Sequence, residues 1–273
     1  MFKHPADVIQ ALMATNSRLD KEAVIQAAWD QGITEFFVGA SQALDALTTF
    51  GVQRVPMIED DSVVGTFVWS DFAALSHKLS TRALTGHAAR DALIAAAEQA
   101  TAHEWNLWYR RLLLKDLKCG TSESTINKVL AKNGAAARAY MVPVFSCQLA
   151  KSADDHPRKM RGHKLVDRKF DGVRLLTVLD KHSQTVTQFT RNGILNINFG
   201  HICNMLRGLL PLLTESVVLD GEMISANFQA LMTQVNRKSE VDTSDSKLML
   251  FDIIPLKNFR EGEYKVSQTD RHT

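Results

Sequence analysis

One lysine, Lys169, stands in a short frame whose residue types are suited to nucleophilic chemistry. The frame reads K-x-D-G-x-R, and Arg168 and Arg174 flank the lysine. A lysine amine is nucleophilic only without its proton, and exposing the free amine at pH 7 costs roughly 4–5 kcal/mol. Neighbouring cations lower that cost because they disfavour the charged form. Since Asp171 and Gly172 favour a tight turn beside a phosphate, the frame predicts an activated lysine close to a phosphate group.

The surroundings of this lysine are basic, although the whole chain is nearly neutral. The 273 residues carry 32 Lys and Arg against 30 Asp and Glu, so the net charge of +2 does not decide for or against nucleic acid. The local basic patch consists of Arg158, Lys159, Arg161, Lys164, Arg168, Lys169 and Arg174. Such a patch is suited to phosphate groups. The alternative is that Lys169 lies on an exposed basic turn and that the half before Lys164 is a solvated linker.

Three later segments place polar or aromatic residues in or beside apolar strands. They are TRNG at residues 190–193, VVLDGE at residues 217–222 and LFDIIP at residues 250–255. The first offers Arg191 in a turn, and the second offers Glu222 at a strand end, where a carboxylate can bind a ribose hydroxyl or a Mg²⁺-linked water. The third offers Phe251, whose ring can stack on a purine base. Taken singly, the three segments are better explained as a hairpin, an acidic turn and a core aromatic.

Composition favours a cytoplasmic protein of two domains. The length exceeds one average domain, and a hydrophobic fraction of 45% is sufficient for real cores. Cys119, Cys147 and Cys203 form no C-x-x-C pair, so neither a disulfide framework nor a zinc site is indicated. The sequence shows no secretory leader and no apolar run long enough to span a bilayer, so we expect no membrane partner.

The two halves of the chain have different hydrophobic patterns. Helical spacing predicts helices over residues 6–14, 21–29, 71–79, 88–100 and 104–117, a short one carrying Ile126 and Val129, and one near residues 199–210. Strands are predicted over residues 175–179, 185–190, 216–219 and 248–254. The expected fold class is α+β. Its parts are an all-helical domain over residues 1–135, a linker or extended connection over 136–160, and a sheet domain over 161–273.

In their order and spacing, these motifs resemble those of ATP-dependent DNA ligases. The residues that carry the resemblance are KFDGVR at 169–174, TRNG at 190–193, LDGE at 219–222 and FDIIP at 251–255. RNA ligases and mRNA capping enzymes, of the same nucleotidyltransferase superfamily, share the first and third. The helical half resembles the DNA-binding domain of bacteriophage-type ligases through RALTG at 82–86, LLKDLKCG at 113–120 and INKV at 126–129. The resemblance covers roughly residues 70–260.

The resemblance implies a role for each matching residue. Lys169 would attack the α-phosphate of ATP and form an AMP–lysine adduct. Asp167 would contact adenine, at a position where the family often has Glu or Gln, and Arg174 would hold ATP phosphates or the 5′-phosphate of the nick. The other implied contacts are ribose or nick phosphate for Arg191, ribose or metal for Glu222, and adenine stacking for Phe251.

The function that the resemblance implies is the sealing of nicks in DNA replication, repair and recombination. Its cofactors would be ATP and Mg²⁺, and its partner would be nicked double-stranded DNA. The helical domain would grip the duplex backbone and minor groove without reading bases, with Lys115, Lys118 and Lys128 as candidate contacts; each could instead be a solvated helix charge. The resemblance also implies an ATP-grasp-like antiparallel sheet. We expect a monomer, in the host cytoplasm if the origin is a phage.

The sequence departs from the family near its end. After Pro255 we find no E-G-x-V/I-x-K segment and no K-x-K-like pair, and no OB-fold domain follows. We therefore expect an incomplete adenylation domain and a truncated chain that seals nicks poorly. Two alternatives stay open: a non-catalytic fragment that binds duplex DNA, and an RNA ligase or capping-type nucleotidyltransferase. Self-adenylation separates the first from a ligase, and GTP preference or activity on RNA ends would reveal the second.

Overall fold

The computed structural model describes residues 1–59, 65–163, 165–236 and 242–271. The chain divides into two compact units, Met1–Val144 and Phe145–Thr273. The first is helical and the second is built on an antiparallel five-stranded sheet, which confirms the α+β class. The predicted linker over residues 136–160 falls on both sides of the boundary. Lys164 of the predicted basic patch lies outside the described residues.

The helical unit contains nine α-helices among its described residues. They are α1 Pro5–Met13, α2 Arg18–Asp30, α3 Thr34–Leu44, α4 Trp69–Ser80, α5 Gly86–Ala97, α6 Ala102–Glu104, α7 Arg110–Leu113, α8 Glu123–Lys132 and α9 Gly134–Arg138. A π-helical turn, Trp105–Tyr109, joins α6 to α7. The core of this unit is aromatic, with Phe36, Phe37 and Trp108 fully buried. The described part of the chain contains no helix that is long and apolar enough to cross a membrane.

Two features of the helical unit differ from the sequence prediction. Helix α3 was not predicted, although Phe36, Phe37, Ala40 and Ala43 are buried along it. Its middle residue is Gly39, where an added Cβ would lie 2.3 Å from the ring of Trp108, so close packing favours glycine there despite its poor helix propensity.

The predicted helix over residues 104–117 is wrong at its C-terminal end. The helix stops at Leu113, because Lys115 and Lys118 adopt left-handed backbone conformations with φ of 56° and 47°. Such conformations are uncommon for residues other than glycine and are incompatible with a continuing α-helix.

The sheet unit has the strand order β3-β2-β1-β4-β5, and all of its neighbouring strands are antiparallel. The strands are β1 Val173–Asp180, β2 Thr185–Thr190, β3 Leu195–Asn196, β4 Val217–Ile224 and β5 Lys247–Pro255. The helices are α10 Gly200–Arg207, α11 Phe228–Asn236, α12 Leu256–Glu261 and α13 Gln268–Arg271, with 3-10 turns at Pro157–Met160 and Leu210–Leu212. The strand predicted over residues 216–219 is too short at its C-terminal end, because β4 continues to Ile224.

The two faces of this sheet have different chemistry. On one face Leu175, Leu219 and Met223 form a core with Ile202 of α10 and Leu231 of α11. Side chains alternate between faces along a strand, so residues of even number in β1 and β4 lie on the opposite face. That face carries the charged residues of the site described next.

Candidate active site

The charged face of the sheet is organised by an ion pair between β1 and β4. Arg174 donates from Nε to one carboxylate oxygen of Asp220 at 2.8 Å and from a terminal nitrogen to the other at 2.5 Å. Its remaining terminal nitrogen donates to the carbonyl oxygen of Gln148 at 2.6 Å. The hydrogen bond to Asp220 raises the pKa of Arg174, although its burial acts in the opposite direction. The guanidinium is therefore held in one orientation by a bidentate carboxylate contact.

The lysine frame is joined to β4 through Gly172. A Cβ added at Gly172 would lie 2.2 Å from the carbonyl oxygen of Met223 and 2.8 Å from Cγ of Glu222, so only glycine permits this approach. The Gly172 amide donates a hydrogen bond to the Glu222 carboxylate. Burial raises the pKa of Glu222, and the positive charges of Arg174 and Lys169 partly oppose that rise. Lys169 therefore lies within electrostatic range of the half-buried Glu222.

Phe251 occupies a bulge in β5. Asp220 pairs with Asp252, but the next residue, Gly221, pairs with Leu250, which leaves Phe251 as the extra residue of its strand. A bulge changes the direction in which a side chain points, and here the ring of Phe251 lies 5.3 Å from the Arg174 guanidinium carbon.

A second bidentate ion pair fixes the residue that follows Phe251. Arg271 of α13 donates to the two carboxylate oxygens of Asp252 at 2.7 and 2.6 Å. It also donates to the carbonyl oxygen of Val266, and its guanidinium carbon lies 5.5 Å from the centre of the Tyr264 ring. The side chains of Arg271 and Asp252 are each 12% exposed, so this pair is well shielded from water.

These two ion pairs line a cavity of about 610 Å³. Its wall includes the aromatic rings of Phe251 and Tyr264 together with the paired side chains Arg174, Asp220, Asp252 and Arg271. A volume of this size suits a nucleotide-sized ligand, and aromatic walls with a few fixed polar groups are typical of small-molecule sites. The cavity can therefore offer a stacking surface and two oriented guanidinium groups.

The structure places the predicted site residues unequally around this cavity. Arg174 and Phe251 are part of its wall, whereas Asp167, Lys169, Arg191 and Glu222 are not. Asp167 and Lys169 are exposed, and the Asp167 carboxylate accepts a hydrogen bond from the main-chain amide of Arg168 at 2.7 Å.

Arg191 lies in the turn after β2. It is exposed, and the turn that holds it contains Gly193 with φ of 77°, as the TRNG segment predicts. Burial raises the pKa of Cys147, a residue of the cavity wall, and the positive charges of Arg174 and Arg191 partly oppose that rise. Arg191 therefore lies within electrostatic range of Cys147.

The three predicted DNA-contacting lysines of the helical unit have different environments. Lys115 is half-buried, and its ammonium donates to the carbonyl oxygens of Gln42 and Asp45 at 3.2 and 2.6 Å. Lys128 donates to the Glu22 carboxylate at 2.6 Å. Lys118 is exposed. A DNA contact stays a prediction for all three residues.

Several residues of the site were not singled out from the sequence. Asp220, Asp252 and Arg271 form the two ion pairs, and Gln148 anchors Arg174. The alternation of side chains along VVLDGE places Asp220 and Glu222 on one face, which was a usable signal for Asp220. No local pattern connects Arg271 with Asp252, because their pairing depends on how α13 folds back on β5.

The carboxylates of the site do not form a protein-only metal centre. Among the described residues, no group of three or more His, Cys, Asp and Glu side chains is placed to hold a metal ion. Glu222 remains available as a single carboxylate, because the carboxylates of Asp220 and Asp252 are engaged by arginine. Mg²⁺ is commonly bound by one or two carboxylates together with substrate phosphates, which is the arrangement that these residues fit.

Comparison with known proteins identifies the class to which this site belongs. Residues 145–269 match the family described as ATP dependent DNA ligase domain. A solved structure named "Pmar-Lig_PreS3" aligns over 99% of this chain and 61% of its own, with 46% identity and a TM-score of 0.61. A second, "Pmar-Lig_Pre.", gives the same values. No curated protein gave a significant match.

A more distant solved structure is the ATP-dependent DNA ligase from bacteriophage T7 in complex with ATP. It aligns over 35% of this chain and 36% of its own, with 20% identity and a TM-score of 0.29, a likeness too slight to support an argument.

The sheet unit is therefore an ATP-dependent DNA ligase domain, and the chain is a relative of the ATP-dependent DNA ligases. It spans 61% of the length of these two solved structures.

Proposed function

We propose that this chain acts in ATP-dependent DNA joining and that Lys169 is its nucleophile. The observation that carries the proposal is the close approach of Gly172 to β4. This approach fixes the end of the lysine frame against Glu222, and it places Lys169 and Arg174 within electrostatic range of the same carboxylate. Elements distant in sequence thus converge beside a cavity of nucleotide size.

The proposed chemistry begins with the neutral amine of Lys169. Its lone pair attacks the α-phosphorus of ATP, a nitrogen–phosphorus bond forms, and the bond to the bridging oxygen breaks, so that pyrophosphate leaves. An oxygen of the 5′-phosphate at a nick then attacks the lysine-bound AMP and releases the amine. Finally the 3′-hydroxyl attacks the activated 5′-phosphorus, a phosphodiester forms, and AMP leaves.

We also assign contributions to the residues around Lys169. The Phe251 ring lies in the cavity wall, where it can stack on adenine. Arg174 lies in the same wall, and its hydrogen bond to Asp220 fixes its orientation. We assign Arg191 and Asp167 to the ribose or nick phosphate and to adenine, respectively. Electrostatic stabilisation of charge that develops on phosphate would supply most of the acceleration.

Glu222 is the residue that we expect to contact the ribose or to hold Mg²⁺ together with the ATP phosphates. Bound Mg²⁺ would neutralise phosphate charge and polarise the phosphorus–oxygen bonds. The hydrogen bond from the Gly172 amide helps to orient the Glu222 carboxylate.

We assign the helical unit to the grip on nicked duplex DNA. We expect it to contact the duplex backbone and minor groove without reading bases, and phosphate contacts of this kind are independent of sequence and weaken as salt increases. Of the three lysines predicted to make such contacts, Lys118 and Lys128 are exposed and Lys115 is half-buried. Use in replication, repair and recombination would follow from nick sealing.

The decisive experiment is the intact mass of the purified chain after incubation with ATP and Mg²⁺. We expect an increase by one AMP in the wild type and in the control Lys265→Ala, because Lys265 is an exposed lysine of the same unit. Lys169→Ala should show no increase. An adduct that persists in Lys169→Ala would remove Lys169 as the nucleophile. No adduct in any of the three would favour a non-catalytic DNA-binding role, whereas an adduct formed from GTP would favour the capping class.

A further inference from the structure

The chain reverses its direction after α12 and returns to β5. Helix α12 ends at Gly262, whose φ of 73° is a left-handed conformation that suits glycine at the end of a helix. The Asn258 side-chain amide donates to the carbonyl oxygen of Glu263 at 3.3 Å, and the Glu263 main-chain amide donates to the carbonyl oxygen of Asn258 at 3.2 Å. These contacts fix the reversal, which brings α13 against β5.

Two side chains of α13 hold the two residues at the bulge of β5. Gln268 donates from Nε2 to the main-chain carbonyl oxygen of Phe251 at 3.4 Å, and Arg271 donates to both carboxylate oxygens of Asp252. Gln268 and Arg271 are three residues apart, so they lie on the same face of the helix. Because the strand ladder is disrupted at a bulge, contacts from outside the sheet have more influence on the direction of the residues there.

Helix α13 is itself fixed by local contacts. The Ser267 hydroxyl accepts a hydrogen bond from the Asp270 main-chain amide at 3.3 Å and donates to the Asp270 carboxylate at 2.6 Å, an arrangement typical of a helix N-cap. The Arg271 guanidinium also donates to the carbonyl oxygen of Val266 and lies over the Tyr264 ring. The planar guanidinium is therefore oriented before it meets the strand.

Arg271 and Phe251 both line the cavity of nucleotide size, so a direct contact between Arg271 and phosphate is the alternative role. Nε and one terminal nitrogen of the guanidinium donate to Asp252, and the other terminal nitrogen donates to Val266. Since each nitrogen of the guanidinium already donates to a protein oxygen, little capacity remains for a ligand. The geometry therefore favours a hold on the strand over direct binding of phosphate.

We propose that Arg271, together with Gln268, is a positioning residue for Phe251. The two side chains fix the bulge of β5 and thereby the direction of the ring that stacks on the adenine of ATP. A side chain that is already held in its bound direction loses less freedom when the ligand binds, so the hold should increase the affinity for ATP. The stacking on adenine rests on the proposed function, whereas the hold on the bulge rests on the geometry alone.

The test is a double-mutant cycle between Arg271→Met and Phe251→Ala. Both are placed in the full chain that carries Lys169→Ala, so that ATP binds without forming the AMP adduct, and its affinity is measured by titration calorimetry. Arg271→Met should weaken ATP binding by roughly fivefold or more, within the limit of about 100-fold that loss of one stacking contact sets. In the Phe251→Ala background the same replacement should weaken ATP binding by less than about twofold, because the ring through which Arg271 acts is absent. Gln268→Ala should show a smaller effect with the same dependence on Phe251.

The matched control is Lys265→Met, which should leave the affinity for ATP unchanged. Lys265 is exposed, lies 3.6 Å from its partner Glu263, and is not part of the cavity wall. Hydrogen exchange of peptides from β1 and β4 checks that the sheet is intact in Arg271→Met. If the sheet is disturbed, Gln268→Ala decides, because it removes only one hydrogen bond of an exposed side chain.

Equal losses of ATP affinity with and without the Phe251 ring would assign Arg271 to direct nucleotide contact or to general stability, and would overturn the positioning role. Unchanged affinity in both Arg271→Met and Gln268→Ala would overturn it as well. If the chain with Lys169 intact forms the AMP adduct while the losses are additive, only the positioning role falls and the proposed function stands. No ATP binding in any variant and no adduct with Lys169 intact would overturn both.

Discussion

The replacement Gly172→Ala tests how the lysine frame is fixed to the sheet. The added Cβ would lie 2.2 Å from the carbonyl oxygen of Met223, whereas ordinary contact begins near 3.4 Å, so β1 and β4 must separate locally by about 1.2 Å. Contacts to Cγ of Glu222 at 2.8 Å and to Ile224 at 3.0 Å leave little room to turn aside. The main obstacle is backbone, which cannot rotate away as a flexible side chain would.

The expected magnitude combines two effects. Overpacking of this kind destabilises by about 1–3 kcal/mol. Displacement of the Gly172 amide from the Glu222 carboxylate adds about 1 kcal/mol. We therefore expect the free energy of opening of the β1–β4 pair to fall by about 2–4 kcal/mol, which corresponds to roughly 30-fold to several hundredfold faster exchange of its amides. AMP transfer to Lys169 should fall at the same time.

The assay must report on the sheet unit alone. All four tryptophans, Trp29, Trp69, Trp105 and Trp108, belong to the helical unit, so tryptophan fluorescence reports that unit and not the sheet. Hydrogen exchange of peptides from β1 and β4, read by mass spectrometry, is the appropriate measurement. Unfolding of the helical unit, followed by tryptophan fluorescence, should be the same in Gly172→Ala and in the wild type.

A matched control comes from the same unit. Gly200 begins α10, has no atom within 4 Å of an added Cβ, and does not adopt a positive φ, so Gly200→Ala should change the opening free energy by less than about 0.5 kcal/mol. Exchange of β1 and β4 in Gly172→Ala that is indistinguishable from Gly200→Ala would refute the close approach. Loss of adenylation with unchanged exchange would point to a chemical role of Gly172 instead.

Three further predictions address the ion pair, the aromatic and a buried lysine. Asp220→Asn should destabilise the sheet unit by about 3 kcal/mol in calorimetry, because Arg174 loses its bidentate partner. In a double-mutant cycle, adding Arg174→Met to Asp220→Asn should restore more than about 1 kcal/mol of that stability. Phe251→Ala should weaken ATP binding by about 5- to 100-fold in titration calorimetry, since stacking of a base contributes about 1–3 kcal/mol; unchanged affinity would exclude Phe251 as a stacking surface. The pKa of Lys115 is about 8 in the folded state and 10.5 in the unfolded state. Between pH 8 and pH 10.5 the unfolded state therefore binds more protons than the folded state. For this reason Lys115 makes the stability of the helical unit rise with pH across that range. Lys115→Met should remove that part of the rise, and identical pH profiles by tryptophan fluorescence would contradict it.

Local patterns in the sequence predicted much of this protein. The helical and strand periodicities located most elements, and the turn at TRNG was read from its residue types. The lysine frame and the strand acids indicated nucleotide chemistry because residue identity, at fixed spacing, already limits what a segment can do. Sequence resemblance extended this to the DNA ligases, and the family match confirmed that class for the sheet unit.

The pairings at the site were decided only by the tertiary structure. Asp220 becomes the partner of Arg174 because the β1–β4 register places these two residues on one face, and Phe251 faces the same guanidinium because β5 bulges there. Lys115 lies outside any helix, although periodicity predicted one over residues 104–117, because its backbone is left-handed. Register, bulges and backbone reversals depend on contacts between segments distant in sequence, and a local pattern carries no information about the partner that each segment meets.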